Sequence, residues 1–222
     1  MKSFSWIEEH AIAHAGAKLI KSRLPLVRSA EELQKITDDR YLSDISRRVF
    51  RAGLKHSLVD SKWPAFEQAF LGFDPAKISL MSDDQLEKQM QNKALIRHWG
   101  KIKSVRANAL MVDEISREFG SFGQFLADWP SSEIVQLWLV LKKRGAQLGG
   151  MSAPSFLRMV GKDTFKLTPD VVAALKAQDI IDKNPTSQRD LKVVQEVFNL
   201  WHQQSGRPYS HISLLLSYTV GW

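Results

Sequence analysis

Apolar positions recur every three or four residues along most of this chain, and few runs alternate apolar with polar residues as a strand would. The pattern predicts an all-α fold of about a dozen short helices. Its clearest stripe runs through positions 102, 105, 109, 112 and 115, inside a helix expected over Lys101 to Phe119. Upstream, Trp6 to Lys21 reads as one amphipathic helix stopped near Pro25. Ser29 with Glu32 three residues on has the form of a capping box and opens a second. Asp44 to Leu58 reads as a third, interrupted or ended near Gly53, and Trp63-Pro64 starts a fourth. Asp74-Pro75 and Ser82-Asp83 are further openings, each with a capping side chain ahead of a good first turn. Ser121 to Trp129, Val171 to Ala177, Ser187 to Gln204 and Tyr209 to Gly221 complete the series. No linker, low-complexity tract or internal repeat interrupts it.

The stretch Leu137 to Asp170 organises the rest. A helix starting near Ser131-Ser132-Glu133 ends in Lys142-Lys143-Arg144; a turn bearing Gly145, Gly149 and Gly150 follows, and a new helix opens at Ser152. Glycine allows positive φ and close approach by another backbone. The unpaired N–H groups of a helix first turn, at the positive end of the dipole, suit an anion such as a phosphate. A plain corner whose glycines only cap a helix end accounts for the same residues.

Charge and composition narrow the chemistry. The 222 residues suffice for one compact domain or two small lobes. Lys and Arg number 31 against 24 acids, a formal charge of +7, with an isoelectric point near 9.6. Such a surplus favours a polyanionic partner, because Lys and Arg contacts to phosphate supply most non-specific nucleic-acid affinity. Cysteine is absent, which excludes disulfides, zinc–cysteine sites, iron–sulfur clusters and cysteine nucleophiles. Acids lie where a signal peptide would have its apolar core, and no apolar run approaches a membrane span, so a cytoplasmic protein that does not bind membranes is expected.

Several uncommon strings occur in one order: Ala52-Gly53-Leu54, Phe73-Asp74-Pro75, Ile96-Arg97-His98-Trp99-Gly100-Lys101-Ile102 and Leu141-Lys142-Lys143-Arg144-Gly145. In this the chain resembles the constitutive 3-methyladenine DNA glycosylase family. From Lys142 onward it also resembles the wider helix-hairpin-helix glycosylase superfamily, in which an essential Asp opens a helix about twenty residues after the hairpin. Asp170 stands 21 positions after Gly149. The superfamily's Leu-Pro-Gly-Val-Gly is altered here to Gly145-Ala-Gln-Leu-Gly149, while its following Thr-Ala is echoed by Ser152-Ala153. The segment from Arg207-Pro208 to Tyr218-Thr219 and Trp222 is similar to the closing helix of the inducible alkylpurine glycosylases. Together the likeness covers roughly residues 41 to 222.

The resemblance implies roles. Asp170 would be the catalytic carboxylate, with Asp163 its rival; Thr168-Pro169-Asp170 is equally an ordinary helix opening. Gly145, Leu148, Gly149 and Gly150 would present backbone N–H groups to a DNA phosphate, with a monovalent cation as the one cofactor the hairpin could hold. Lys142, Lys143, Arg144, Arg97 and Lys101 would touch the backbone, or be solvated. Gly53 and Leu54 fall where the family fills the gap left by an extruded nucleotide, although a helix-ending Gly with a packing Leu reads the same. Arg48, His56, Trp6 and Tyr41 are candidates for lining the base pocket, each with a core or surface role as the alternative.

The departures matter as much. The family's two-Cys, two-His zinc site cannot form, its pocket Glu falls on Arg48, and its pocket Trp falls on His56. Where the lyase branch has a Lys, two residues past the motif's last Gly (Gly149 here), this chain has Met151, so base removal without strand cleavage is expected.

The implied protein is a two-lobed helical bundle with a helix-hairpin-helix lobe over roughly 65–170 and a second lobe from 1–64 plus 171–222. It would be a monomeric, monofunctional glycosylase excising damaged, most plausibly alkylated, purines from double-stranded DNA. The alternatives are a glycosylase for a neutral lesion, with Arg48 excluding cationic bases, and a non-catalytic DNA-binding relative.

Overall fold

Fourteen α-helices and two 3-10 turns make up the regular structure of the computed structural model, which describes residues 1–220; no strand occurs among them. Gly221 and Trp222, the end of the resemblance's terminal motif, lie outside the described residues. The expected helix over Trp6 to Lys21 is two, α1 (Phe4–Ala15) and α2 (Ala17–Arg23), because Gly16 takes φ +80°, where only glycine is unstrained. Ser29 and Glu32 form both halves of the capping box that opens α3 (Ala30–Gln34). α4 (Asp38–Arg51) starts six residues earlier than its apolar pattern suggested and ends before Gly53, which has φ +76°. α5 (His56–Ala69) then runs straight through Trp63-Pro64 instead of starting there. Asp74 and Ser82 cap α6 (Pro75–Ser79) and α7 (Asp83–Gln89) as expected. The long stripe forms α8 (Trp99–Phe119), followed by α9 (Phe122–Asp128), α10 (Ile134–Arg144) and α11 (Ser152–Met159). α12 (Pro169–Ala177), α13 (Gln188–Ser205) and α14 (Tyr209–Ser217) close the chain.

Two compact units divide these helices. The hairpin unit holds residues 28–129 and 138–160; the terminal unit holds 1–27, 130–137 and the chain from Gly161 on. The division differs from the sequence expectation, which grouped residues 28–64 with the ends of the chain. The reason is packing: the buried face of α4 (Leu42, Ile45, Val49, Phe50) lies against α8 and α5, so that segment shares the hairpin unit's core.

In the hairpin unit, Phe50, Trp63, Phe66, Phe70 and Phe73 form one aromatic cluster, with Trp63 stacked on Phe66 at 4.9 Å and on Phe73 at 5.3 Å between ring centres. Beside it Arg40 grips Glu67 in a two-point ion pair at 3.0 and 2.9 Å, while the Ser43 hydroxyl donates to the same carboxylate and accepts from the Trp63 indole. Burial alone would raise the Glu67 carboxyl, but Arg40 and Ser43 hold it below the ordinary range.

In the terminal unit, Phe4, Ile7 and Ala11 of α1 contribute to the core together with Phe198 and Trp201 of α13 and Ile212 and Leu216 of α14. The Trp201 indole donates to the Lys2 carbonyl at 3.1 Å. Asp163 spends both carboxylate oxygens on the start of α14, accepting from the backbone N–H groups of Tyr209 and Ser210 at 2.9 Å each. Asp163→Ala should therefore lower stability by about 1–2 kcal/mol, the usual value of a lost helix cap. Urea unfolding should show a lower midpoint with an unchanged slope.

Candidate functional site

The hairpin between α10 and α11 is built by contacts that leave little choice of residue. A Cβ on Gly145 would lie 2.7 Å from Leu148 Cδ1, 2.8 Å from Met111 Sδ and 2.9 Å from Asn108 Oδ1, so a larger residue would force these buried side chains to shift. Asn108, fully buried on α8, holds the next residue at two points: its Oδ1 accepts from the Ala146 N–H at 2.7 Å and its Nδ2 donates to the Ala146 carbonyl at 3.1 Å. The loop then turns through Gln147 at φ +62° and Gly150 at φ +56°. Leu148, 1% exposed, is a core plug, so its side chain cannot meet DNA and only its backbone could. Gly149 and Gly150 are exposed, and among the described residues no acceptor is found for the N–H groups of Leu148, Gly149 or Gly150. Three adjacent unpaired backbone donors ahead of a helix start are the kind of group that suits an anion.

The cations around the loop separate into two kinds. Lys142 and Lys143 are exposed, and the Lys142 stem runs beside Gly149. Arg144 is instead engaged by α8, at 2.8 Å from Glu118 and 3.8 Å from Glu114, so a phosphate would have to compete with two carboxylates for it. Lys101 is likewise engaged: its Nζ donates to the carbonyls of Phe50 at 3.2 Å and Ala52 at 2.6 Å, covering the last orphan acceptors of α4. Burial, with Arg48 nearby, lowers its pKa. Arg97 is exposed ahead of α8, where the His98 ring caps the helix by accepting from the Lys101 N–H at 3.3 Å.

Gly53 and Leu54 sit on the exposed turn between α4 and α5, with Leu54 36% exposed although apolar. His56 is exposed at the first position of α5 rather than enclosed. Tyr41 is not a pocket residue: it is fully buried, packs on Phe122 and donates its hydroxyl to the Leu33 carbonyl at 2.7 Å. Arg48 is half-buried on α4, and its Nε is buried with no hydrogen-bond partner among the described residues. In the terminal unit Trp6 is half-buried and stacks on His10 at 3.7 Å. Asp170 is exposed in the first turn of α12, where Thr168 supplies the cap and leaves the Asp170 carboxylate without a structural task. Asp163, the rival acid, is consumed by α14.

Two features escaped sequence reasoning. Asn108 could have been suspected, since it is a polar residue inside the buried stripe of α8. The second is Asp44, whose surroundings depend on arginines from both α4 and the segment before α3.

The all-α arrangement is shared with solved DNA glycosylases. The Methanocaldococcus jannaschii 8-oxoguanine glycosylase/lyase bound to 8-oxoguanine-containing DNA has the same fold, with a TM-score of 0.55, 13% identity, and 96% of this chain and 94% of that one covered. A solved 3-methyladenine DNA glycosylase I matches with a TM-score of 0.51 and 24% identity over 64% of this chain and 85% of that one. The chain belongs to the methyladenine glycosylase family, whose model matches residues 34–148. It is 35% identical over 75 residues to the DNA-3-methyladenine glycosylase of Haemophilus influenzae, covering 32% of this chain and 40% of that protein. It is 28% identical over 130 residues to DNA-3-methyladenine glycosylase 1 of Escherichia coli, covering 50% of this chain and 70% of that protein. The chain thus spans less than half the length of the first of these relatives.

Proposed function

We propose that this protein is a monofunctional DNA glycosylase that excises damaged purines, alkylated ones foremost, from duplex DNA, acting as a monomer. The observation that carries the reading is the hairpin at 145–150. Its exposed N–H groups are ready to bind a backbone phosphate, directly or with a monovalent cation, and family membership says what such a corner serves. The target nucleotide is extruded, with Leu54 at the Gly53 turn entering the vacated stack. Asp170 then stabilises the oxocarbenium-like sugar and orients or deprotonates the attacking water. An N3- or N7-alkylated purine is already cationic and leaves without protonation, so a sparse set of groups suffices. Met151 occupies the position from which a lysine would attack C1′, so hydrolysis ends at the abasic site.

Incubation with duplexes carrying single methylated, deaminated or oxidised bases tests this. Release of free base with an intact strand is the expected result. Binding of duplex without release of any base would overturn the enzymatic reading in favour of a DNA-binding module. For the interface itself, Lys142→Gln and Lys143→Gln should each weaken binding uniformly across sequences and reduce the slope of log affinity against log salt by about 1. Fluorescence anisotropy over a salt series measures both effects, and an unchanged slope would remove these lysines from the interface.

A further inference from the structure

A groove of about 320 Å³ runs beside the hairpin. Gly100, Lys103, Ala107 and Leu110 line it from α8, at spacings of three, four and three residues that put them on one helix face, and Ala146 of the hairpin lines it too. Asn108 clamps Ala146 at both polar groups, so the groove and the glycine corner share a fixed wall. The two cations that line it differ in their commitments. Arg106 donates to the Met81 carbonyl at 2.7 Å and pairs with Asp83 at 2.5 Å, so its charge is already answered. Lys103 is exposed and makes no hydrogen bond or ion pair among the described residues. Its amine lies over the Trp99 ring, 5.5 Å from the ring centre. Such a contact is weak at an exposed site, so it does not withhold the amine from an anion.

Among the described residues no carboxylate lines the groove, and apart from the two cations its lining is apolar or small, with Leu110 44% exposed. A nucleic-acid strand complements such a surface, because it alternates a charged phosphate with a sugar ring. Resting on the DNA-binding reading above, we infer that the strand gripped by the hairpin continues through this groove, with Lys103 on one of its phosphates and a sugar against Ala107 and Leu110. Lys103 stands about 7.5 Å along the α8 axis from Asn108, and a DNA strand advances about 3.4 Å per nucleotide. The phosphate that Lys103 meets therefore lies within about three nucleotides of the one the hairpin holds.

The test uses the whole protein and a duplex carrying one tetrahydrofuran abasic analogue, which fixes the register and has no base to release. Anisotropy over a salt series compares wild type with Lys103→Gln, Ala107→Glu, its neutral counterpart Ala107→Gln, and Lys35→Gln, which removes an exposed cation at the end of α3, outside the groove. Lys103→Gln should reduce the slope of log affinity against log salt by about 1, and Lys35→Gln should leave it unchanged. Ala107→Glu should weaken binding at least about tenfold relative to Ala107→Gln, because it sets a carboxylate against the strand. Single phosphates are then replaced in turn by neutral methylphosphonates. One replacement, within about three nucleotides of the most sensitive position, should weaken wild type about three- to fivefold and leave Lys103→Gln unaffected. An unchanged slope for Lys103→Gln, or an equal change for Lys35→Gln, would overturn the strand path. So would wild-type affinity in a folded Ala107→Glu protein; altered sedimentation of that variant would assign the groove to a second copy of the chain. Should Ala107→Glu not fold, the Lys103→Gln slope decides. These readouts follow binding alone, so failure to release any base would remove the enzymatic reading and leave the groove in place, whereas a wild type that binds no duplex would remove both.

Discussion

Asp170→Asn is expected to slow base release by roughly 10²–10⁴-fold, the range a positioned acid–base group supplies, while duplex affinity stays within about twofold of wild type. Amide for carboxylate keeps shape and removes the charge that would face the developing oxocarbenium ion. The residue is well placed for a clean experiment: it is exposed, and Thr168 already caps α12, accepting from the Val171 N–H at 3.4 Å. Loss of its favourable interaction with the helix N-terminus should cost under about 1 kcal/mol, too little to unfold the protein. Single-turnover release from a lesion-bearing duplex, with anisotropy on the same duplex, separates chemistry from binding. Release within threefold of wild type would exclude Asp170 as the catalytic carboxylate. Asp163 could not then take its place without surrendering the start of α14.

Asn108→Ala should have the largest effect on the fold and the interface together. Asn108 has no accessible surface, and its amide answers both polar groups of half-buried Ala146, so truncation takes the partner from that N–H and that carbonyl. A loss of about 2–3 kcal/mol follows from the cost of such orphaned groups. For a chain of this size that is a fall in Tm of roughly 4–12 °C. The loop would also lose the restraint that presents the N–H groups of Leu148, Gly149 and Gly150 together. Duplex affinity should drop about tenfold even where the variant is fully folded, because the loop must then be ordered on binding. Calorimetry and anisotropy at 15 °C read the two effects separately. A folded Asn108→Ala protein that binds duplex as wild type does would show that the hairpin needs no anchor from α8.

The contrast between Lys101 and Lys142 shows how far residue type can mislead. Both stand beside glycines in strings that resemble DNA-contacting segments, and both read as phosphate contacts. Lys142 follows eight residues of its own helix and makes no hydrogen bond or ion pair among the described residues, so local sequence predicts its exposure. Lys101 meets the carbonyls of Phe50 and Ala52, about fifty residues away in the chain, and only the packing of α4 on α8 brings them there. Tyr41 and Arg144 moved for the same reason, one into the aromatic core, the other onto Glu118.

What the sequence by itself determined is what depends on neighbours within a few residues. The helical period, the capping boxes at Ser29 and Ser82, the Asp74 and Thr168 caps, the glycine corner after Lys142-Lys143-Arg144, and the order of motifs that marks the family are all local. Tertiary structure decided which charges remain available. A side chain's partner is set by where distant helices pack, and that packing assigned Asp163 to α14, Lys101 to the end of α4 and Asn108 to the hairpin.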